Sequence, residues 1–203
     1  MDSNDLSNFK ILTPLINEGD VLDDVGANYG EYTEFFSKCL NGSGKIYAIE
    51  LHPDTYNVLN NKFGNQSNII VLNNGVSNSN ELIPFYKGND AWTNNIIGHD
   101  TDFRVNEKIG NIQGVRLDTL LKDEKHIKIL KIDVEGAENL VLEGLEGIYD
   151  RIEYMLLECH LDKDWVGIRD MILNKYNFKC INSINNQEIN NNSNRTYQCF
   201  CKK

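Results

Sequence analysis

A chain of 203 residues, 40% hydrophobic and 25% charged, has the size and balance of one soluble globular domain, which excludes a fibre and a wholly disordered chain. The net charge of −10 disfavours a protein that grips nucleic acid through its phosphates, because that mode needs clustered Lys and Arg. No apolar run approaches the roughly 18–20 residues that span a bilayer, and no basic and apolar leader opens the chain, so a cytoplasmic protein is expected.

Residues 1–19 are expected to form a helical extension. Val21 to Val25 then reads as a short strand that ends in a glycine loop, and Tyr32 to Leu40 as a helix with apolar residues at helical spacing. Lys45 to Ile49 is a second strand. Pro53 to Phe63 carries Pro in a first helical turn, with Tyr56, Leu59 and Phe63 three or four apart, and Ile69 to Leu72 is a third apolar run. Strand, helix, strand, helix, strand favours a parallel sheet with helices on both faces, joined by right-handed crossovers.

Glu81 to Lys87 reads as a further strand. Residues 88–110, polar and weakly periodic around Trp92, His99 and Phe103, read as a long loop for an acceptor, since structureless stretches of that length usually bind something or are disordered. Lys122, Lys125, Lys128 and Lys131, interleaved with acids and apolar residues, are read as a solvated face. Alternation resumes with a strand at His126 to Ile132, a helix at Ala137 to Leu145, a strand at Arg151 to Glu158 and a helix at Asp164 to Tyr176. Strands near Phe178 to Ser183 and Thr196 to Cys201 close the chain. The Asn-rich tract 185–194 between them is expected to be a mobile connection that sets these two strands antiparallel. Cys199 and Cys201 fit strand alternation. The odd total of five cysteines fits a reducing compartment better than a disulfide framework.

In an open parallel sheet, ligands bind at the carboxyl ends of the strands. The unusual residues of this chain fall there. Gly26, Asn28 and Gly30 follow the first strand, where Gly26 permits a tight turn close to a ligand and Asn28 offers both a donor and an acceptor. Glu50 ends the second strand, 24 positions after Gly26, where a carboxylate accepts two hydrogen bonds from a ribose diol. The Gly-x-Gly-x-x-Gly signature of a pyrophosphate site is missing. Asp24 and Glu50 add negative charge that suits a cationic sulfonium and amino group instead. A plain glycine turn with strand-end acids is the alternative reading.

Val21-Leu22-Asp23-Asp24-Val25-Gly26-Ala27-Asn28-Tyr29-Gly30-Glu31-Tyr32-Thr33 resembles the opening motif of FkbM-type methyltransferases. Arg116-Leu117-Asp118-Thr119-Leu120, followed by Ile129 to Glu138, resembles the family's central signature, and Leu157-Glu158-Cys159-His160 its next strand end. The resemblance implies a class I methyltransferase, an α/β Rossmann-like fold with about seven mostly parallel strands, an antiparallel C-terminal strand and helices on both faces. It implies S-adenosylmethionine as cofactor, with Asp24, Gly26, Asn28 and Gly30 near its methionine part, Glu50 at the ribose and Asn74 near adenine.

Two neighbouring strands would bring Asp133, Glu135, Glu158 and His160 to one sheet edge as a catalytic group. Asp133 or His160 could take the proton of a hydroxyl acceptor, and Glu135 could equally belong to a turn. Asp133, Glu158 and His160 could share a magnesium ion, but the sequence shows no complete ligand set, and no metal is assigned. The expected activity is O-methylation of a sugar, glycan or small molecule. A protein or RNA acceptor, or a non-catalytic cofactor-binding module, is the rival, and the oligomeric state is not read.

Overall fold

The computed structural model describes residues 3–87, 95–97, 107–160, 162–194 and 196–203. Helix α1 (Ser3–Leu12) and a single 3-10 turn precede β1 (Val21–Val25), α2 (Glu31–Leu40), β2 (Lys45–Glu50), α3 (Pro53–Phe63) and β3 (Ile69–Asn73). After β4 (Gly75–Val76), β5 (Leu82–Lys87), β6 (Glu107–Val115) and α4 (Leu117–Leu120), the alternation resumes as β7 (Ile127–Ile132), α5 (Glu138–Glu143), β8 (Ile152–Glu158) and α6 (Trp165–Asp170). β9 (Lys179–Asn182), β10 (Glu188–Ile189) and β11 (Gln198–Lys202) complete it.

The main sheet runs β10-β9-β11-β8-β7-β1-β2-β3. From β3 to β8 every pairing is parallel, whereas β11 lies antiparallel between β8 and β9. The expected parallel core with an antiparallel C-terminal strand therefore forms, but the sheet has eight strands rather than about seven. The additional strand is β10, inside the Asn-rich tract. It pairs with β9 because Ile189 is buried and gives that polar stretch one apolar anchor. A backbone carbonyl farther along the tract, at Ser193, accepts from Trp165 Nε1 and Arg169 Nη1 at 3.0 and 2.7 Å.

Apolar side chains leave the two faces of the main sheet in alternation and build two cores. Val25, Ile49, Leu130 and Ile132 belong to one, and Leu22, Ile46, Ala48 and Ile129 to the other, where α1, α2 and α3 pack. Phe9 of α1 stacks on Phe35 at 4.1 Å and meets Tyr32 edge-on, which fastens the N-terminal helix to α2.

A second sheet, β4-β6-β5, departs from the expected long loop. Residues 107–110 of that segment are strand, and β6 pairs antiparallel with β5 across a bulge at Phe85/Tyr86. Gly110 and Gly114, with mostly exposed polar neighbours, hide the strand from a hydrophobic pattern. Asn95 exchanges backbone hydrogen bonds with Tyr86. Trp92, His99 and Phe103 lie outside the described residues.

Arg116 and Asp118 lock this second sheet to the main one. Arg116 Nε donates to Asp118 Oδ1 at 3.0 Å and its Nη1 to the Asn78 carbonyl, while the Asp118 amide reaches the Gly144 carbonyl. The cysteine reading needs one correction. Cys180 and Cys201, register partners on β9 and β11, form a disulfide. Adjacent antiparallel strands brought them together, although the sequence carries no paired-cysteine motif.

Candidate active site

The chain passes β1, β2 and β3 in one direction across the sheet and then returns to β7 and β8 on the other side of β1. Strand ends on either side of such a reversal leave a crevice. Here it is bordered by the carboxyl ends of β1, β2, β7 and β8.

Two adjoining clefts open at this edge. Gly26, Asn28, Glu50, Asn74, Asp133 and Glu135 line the first, with Ile96 and the β4 residues Gly75 and Val76. Tyr29, Glu31, Tyr32, Lys131, Asp133 and Glu158 line much of the second. Gly26, Asn28 and Asp133 form their common wall. Of the ten sequence-predicted residues, Asp24, Gly30 and His160 line neither cleft.

Gly26 adopts φ +75°, and a Cβ there would stand 1.7 Å from the Asp133 carbonyl oxygen. Only glycine lets β1 turn this close to β7. The amides of Gly26 and Ala27 both donate to the Ile49 carbonyl at 3.0 Å, fixing the loop against β2. Gly30 is also in a left-handed conformation, but its Cβ would strike Phe63 and Leu59 at 2.5 and 2.7 Å. It serves the packing of α2 on α3 and lines neither cleft.

Both oxygens of the buried Glu50 carboxylate are oriented by backbone. Oε2 accepts from the Asn28 amide at 2.9 Å and Oε1 from the His52 amide at 2.8 Å. Burial raises its pKa, and these two hydrogen bonds oppose the rise. Asn73, across from Glu50 on β3, donates to the Glu50 and Leu51 carbonyls at 2.9 Å and shapes the turn that carries the carboxylate. Asn74 lines the cleft and ties it to the second sheet by donating to the Gln113 carbonyl at 3.1 Å.

Asp24 is fully buried beneath the loop. Thr33 Oγ1 donates to its Oδ2 at 2.6 Å, and Lys131 Nζ lies 3.3 Å from Oδ1. Lys131 is the register partner of Asp24 across β1 and β7. Its Nζ also donates to the Gly26 carbonyl at 2.8 Å, stands 3.4 Å from Asp133 Oδ2 and faces the Tyr32 ring at 5.2 Å. The solvated-face reading of Lys131 is therefore wrong. Burial opposes its charge, but Asp133 and Asp24 outweigh that and raise its pKa. A Lys inside Ile129-Leu130-Lys131-Ile132 was the available signal, since a buried strand accepts a cation only when it is paired.

At the β7 and β8 ends, His160 is surrounded by carboxylates. Its Nδ1 lies 2.6 Å from Oε1 of Glu138, which is fully buried at the start of α5. Its Nε2 lies 3.7 Å from Asp133 Oδ1, 3.7 Å from Glu135 Oε2 and 3.8 Å from Glu158 Oε1. Burial disfavours charge on the ring, yet the Glu138 hydrogen bond and the neighbouring acids raise its pKa to about 10. These neighbours favour the imidazolium form of the ring. Burial pushes Glu135 up to about 7 against the pull of His160, and burial with Asp133 pushes Glu158 up to about 7. Glu135 holds φ +54°, the turn conformation the sequence left open. Tyr197, which sequence reasoning missed, donates to Glu158 and sits edge-on to His160 at 5.6 Å.

The reversal of the sheet at β1, the glycine turn and the strand-end carboxylate on β2 define a class I methyltransferase. The FkbM methyltransferase of Methylobacillus flagellatus shares this fold at a TM-score of 0.61 and 16% identity, covering 97% of this chain and 47% of that one. The fibrillarin of Aeropyrum pernix, solved with natively bound S-adenosyl-L-methionine, shares it at a TM-score of 0.51 and 14% identity, covering 96% and 72%. Residues 24–180 match the methyltransferase FkbM domain, and the chain belongs to that family of S-adenosylmethionine-dependent methyltransferases. Hexuronic acid methyltransferase AglP of Haloferax volcanii is 29% identical over 158 residues, 76% of this chain and 62% of that protein. No helix among the described residues is long and apolar enough to cross a membrane.

Proposed function

We propose that the chain transfers the methyl group of S-adenosylmethionine to a hydroxyl oxygen of a sugar or glycan. The carrying observation is the position of Asp133 on the wall common to both clefts, beside the Gly26 turn. In this reading the first cleft takes the cofactor. Glu50, preset by two backbone amides, accepts from the ribose diol, and Asn74 and Ile96 flank the adenine. Asn28 Oδ1 is buried without a hydrogen-bond partner among the described residues and is available to the cofactor's amino group.

The second cleft takes the acceptor. Methyl transfer is an in-line displacement, so the principal contribution of the site is to hold the acceptor oxygen against the methyl carbon and exclude water. The acceptor oxygen forms the new bond to carbon while the C–S electron pair returns to sulfur. Asp133, oriented by Lys131, takes the hydroxyl proton. A sugar acceptor is favoured by the likeness to a hexuronic acid methyltransferase and by the net charge of −10, which disfavours RNA.

Isothermal titration with S-adenosylhomocysteine tests the cofactor, and absence of binding by folded protein would sink the reading. Methyl transfer from labelled donor is then compared over hexuronic acids, neutral sugars, protein and RNA. Label on protein or RNA alone would replace the sugar assignment.

A further inference from the structure

Asp133, Glu158 and His160 each offer one donor atom, and the three donors lie within 4.8 Å of one another. They come from the ends of two paired parallel strands, β7 and β8, and the turn after β8, so the main sheet itself sets their spacing. Two are hard oxygens and one is an imidazole nitrogen, which is a mixed metal-ligand set rather than a run of surface acids.

A second observation lies behind them. His160 Nδ1 is held at 2.6 Å by Glu138, a carboxylate with no solvent exposure that also accepts from the Gly136 amide at 3.0 Å. A metal-bound histidine commonly commits its other ring nitrogen to a carboxylate, which fixes the tautomer and the ring orientation. Glu138 commits Nδ1 and leaves Nε2 as the nitrogen facing Asp133 and Glu158. Its burial is offset by these two contacts and keeps solvent from loosening the hold on His160. The triad also adjoins the second cleft, because Asp133 and Glu158 line it.

We infer that Asp133 Oδ1, Glu158 Oε1 and His160 Nε2 form a three-ligand site for a first-row divalent cation, which holds the acceptor hydroxyl in the second cleft. This inference rests on the methyltransferase reading for its purpose but not for its test. The cation takes the position of any proton on Nε2. The remaining coordination positions take water and the acceptor oxygen, as in catalytic sites with three protein ligands. A cation held there would polarise the acceptor hydroxyl, whose proton goes to Asp133 through Oδ2, the oxygen not assigned to the cation. The oxygen lone pair then forms the bond to the methyl carbon, and the C–S pair leaves with sulfur as S-adenosylhomocysteine.

The test uses the full chain stripped with EDTA and titrated with Mn2+ alone, followed by the loss of the free-ion electron paramagnetic resonance signal. S-adenosylhomocysteine binding is measured on the same samples. One Mn2+ per chain is expected, with binding weakened at least about 10-fold in Glu158→Gln and about 10–100-fold in Glu138→Gln, which touches no metal. Anomalous diffraction from Mn2+-soaked wild-type crystals should place the ion between the three donors, and this remains decisive if a variant fails to fold. No Mn2+ binding by wild-type protein that still binds S-adenosylhomocysteine overturns the site, as does an anomalous peak elsewhere. Loss of S-adenosylhomocysteine binding with Mn2+ retained counts against the methyltransferase reading and leaves the metal site standing.

Discussion

The carboxyl edge of the parallel strands and the β4-β6-β5 sheet border the same cleft, but they are built on different principles. At the edge, side chains from separate strands converge on buried charge, as Lys131 does between Asp24 and Asp133. The small sheet contributes Gly75 and Val76 of β4, with Ile96 beside them, and is tied down by Arg116 and Asp118. The two regions should therefore fail in different ways. Damage at the edge should strike stability and ligand binding together, whereas damage to the clamp should strike stability alone.

Lys131→Met should have the largest effect. It leaves Asp24 and Asp133 without their shared cation in a buried setting, and removing one partner of a buried ion pair costs about 3–5 kcal/mol. Urea unfolding should show the loss as a lower midpoint. A change below about 1 kcal/mol would mean that solvent already reaches the pair and that the edge is not built on buried charge.

Gly26→Ala comes next. Its Cβ would overlap the Asp133 carbonyl oxygen at 1.7 Å in a left-handed conformation, so the loop must move away from β7. Titration with S-adenosylhomocysteine should show roughly 100-fold weaker binding, about 2.7 kcal/mol. Gly30→Ala should disturb the packing of α2 on α3 instead, lowering stability with a smaller change in affinity, because Gly30 lines neither cleft. Equal losses of affinity would erase that distinction.

Glu50→Gln keeps the shape of the side chain and removes its charge. Hydrogen bonds to a charged group contribute about 1.5–3 kcal/mol, so the affinity for S-adenosylhomocysteine should fall by about 10-fold or more. Unchanged affinity would remove Glu50 from the ribose.

These effects also show which parts of the molecule the sequence could disclose. The Gly26 turn, Glu50 and the alternating elements are local: a loop, a strand end and a period, each contained in a few consecutive residues. The roles of Lys131 and Glu138 depend on partners brought across the sheet, Asp24 from β1 and His160 from the β8 end. A reading along the chain finds a charged residue in each case without its partner. It therefore took Lys131 for a surface residue and assigned Glu138 no partner. Strand β6 stayed hidden for a related reason, since its pairing with β5 reaches across the segment between them and its glycines weaken the pattern.

Asp118→Asn should have the smallest effect and draws the comparison most sharply. Arg116 holds the Asp118 carboxyl below its ordinary value, chiefly through their hydrogen bonds, so the folded chain favours the carboxylate. A depressed carboxyl contributes stability that is fully present above the unfolded pKa, near 3.8, and is lost as pH falls through the lower folded value. Wild type and variant should therefore differ by about 1 kcal/mol at pH 7, because the pair is partly exposed. Their urea midpoints should converge as the pH drops below 3.8. Binding of S-adenosylhomocysteine at pH 7 should stay within about 2-fold, since Asp118 lines neither cleft. A 10-fold loss of affinity would show that the clamp sets the shape of the cofactor cleft through β4, making the two regions one mechanical unit.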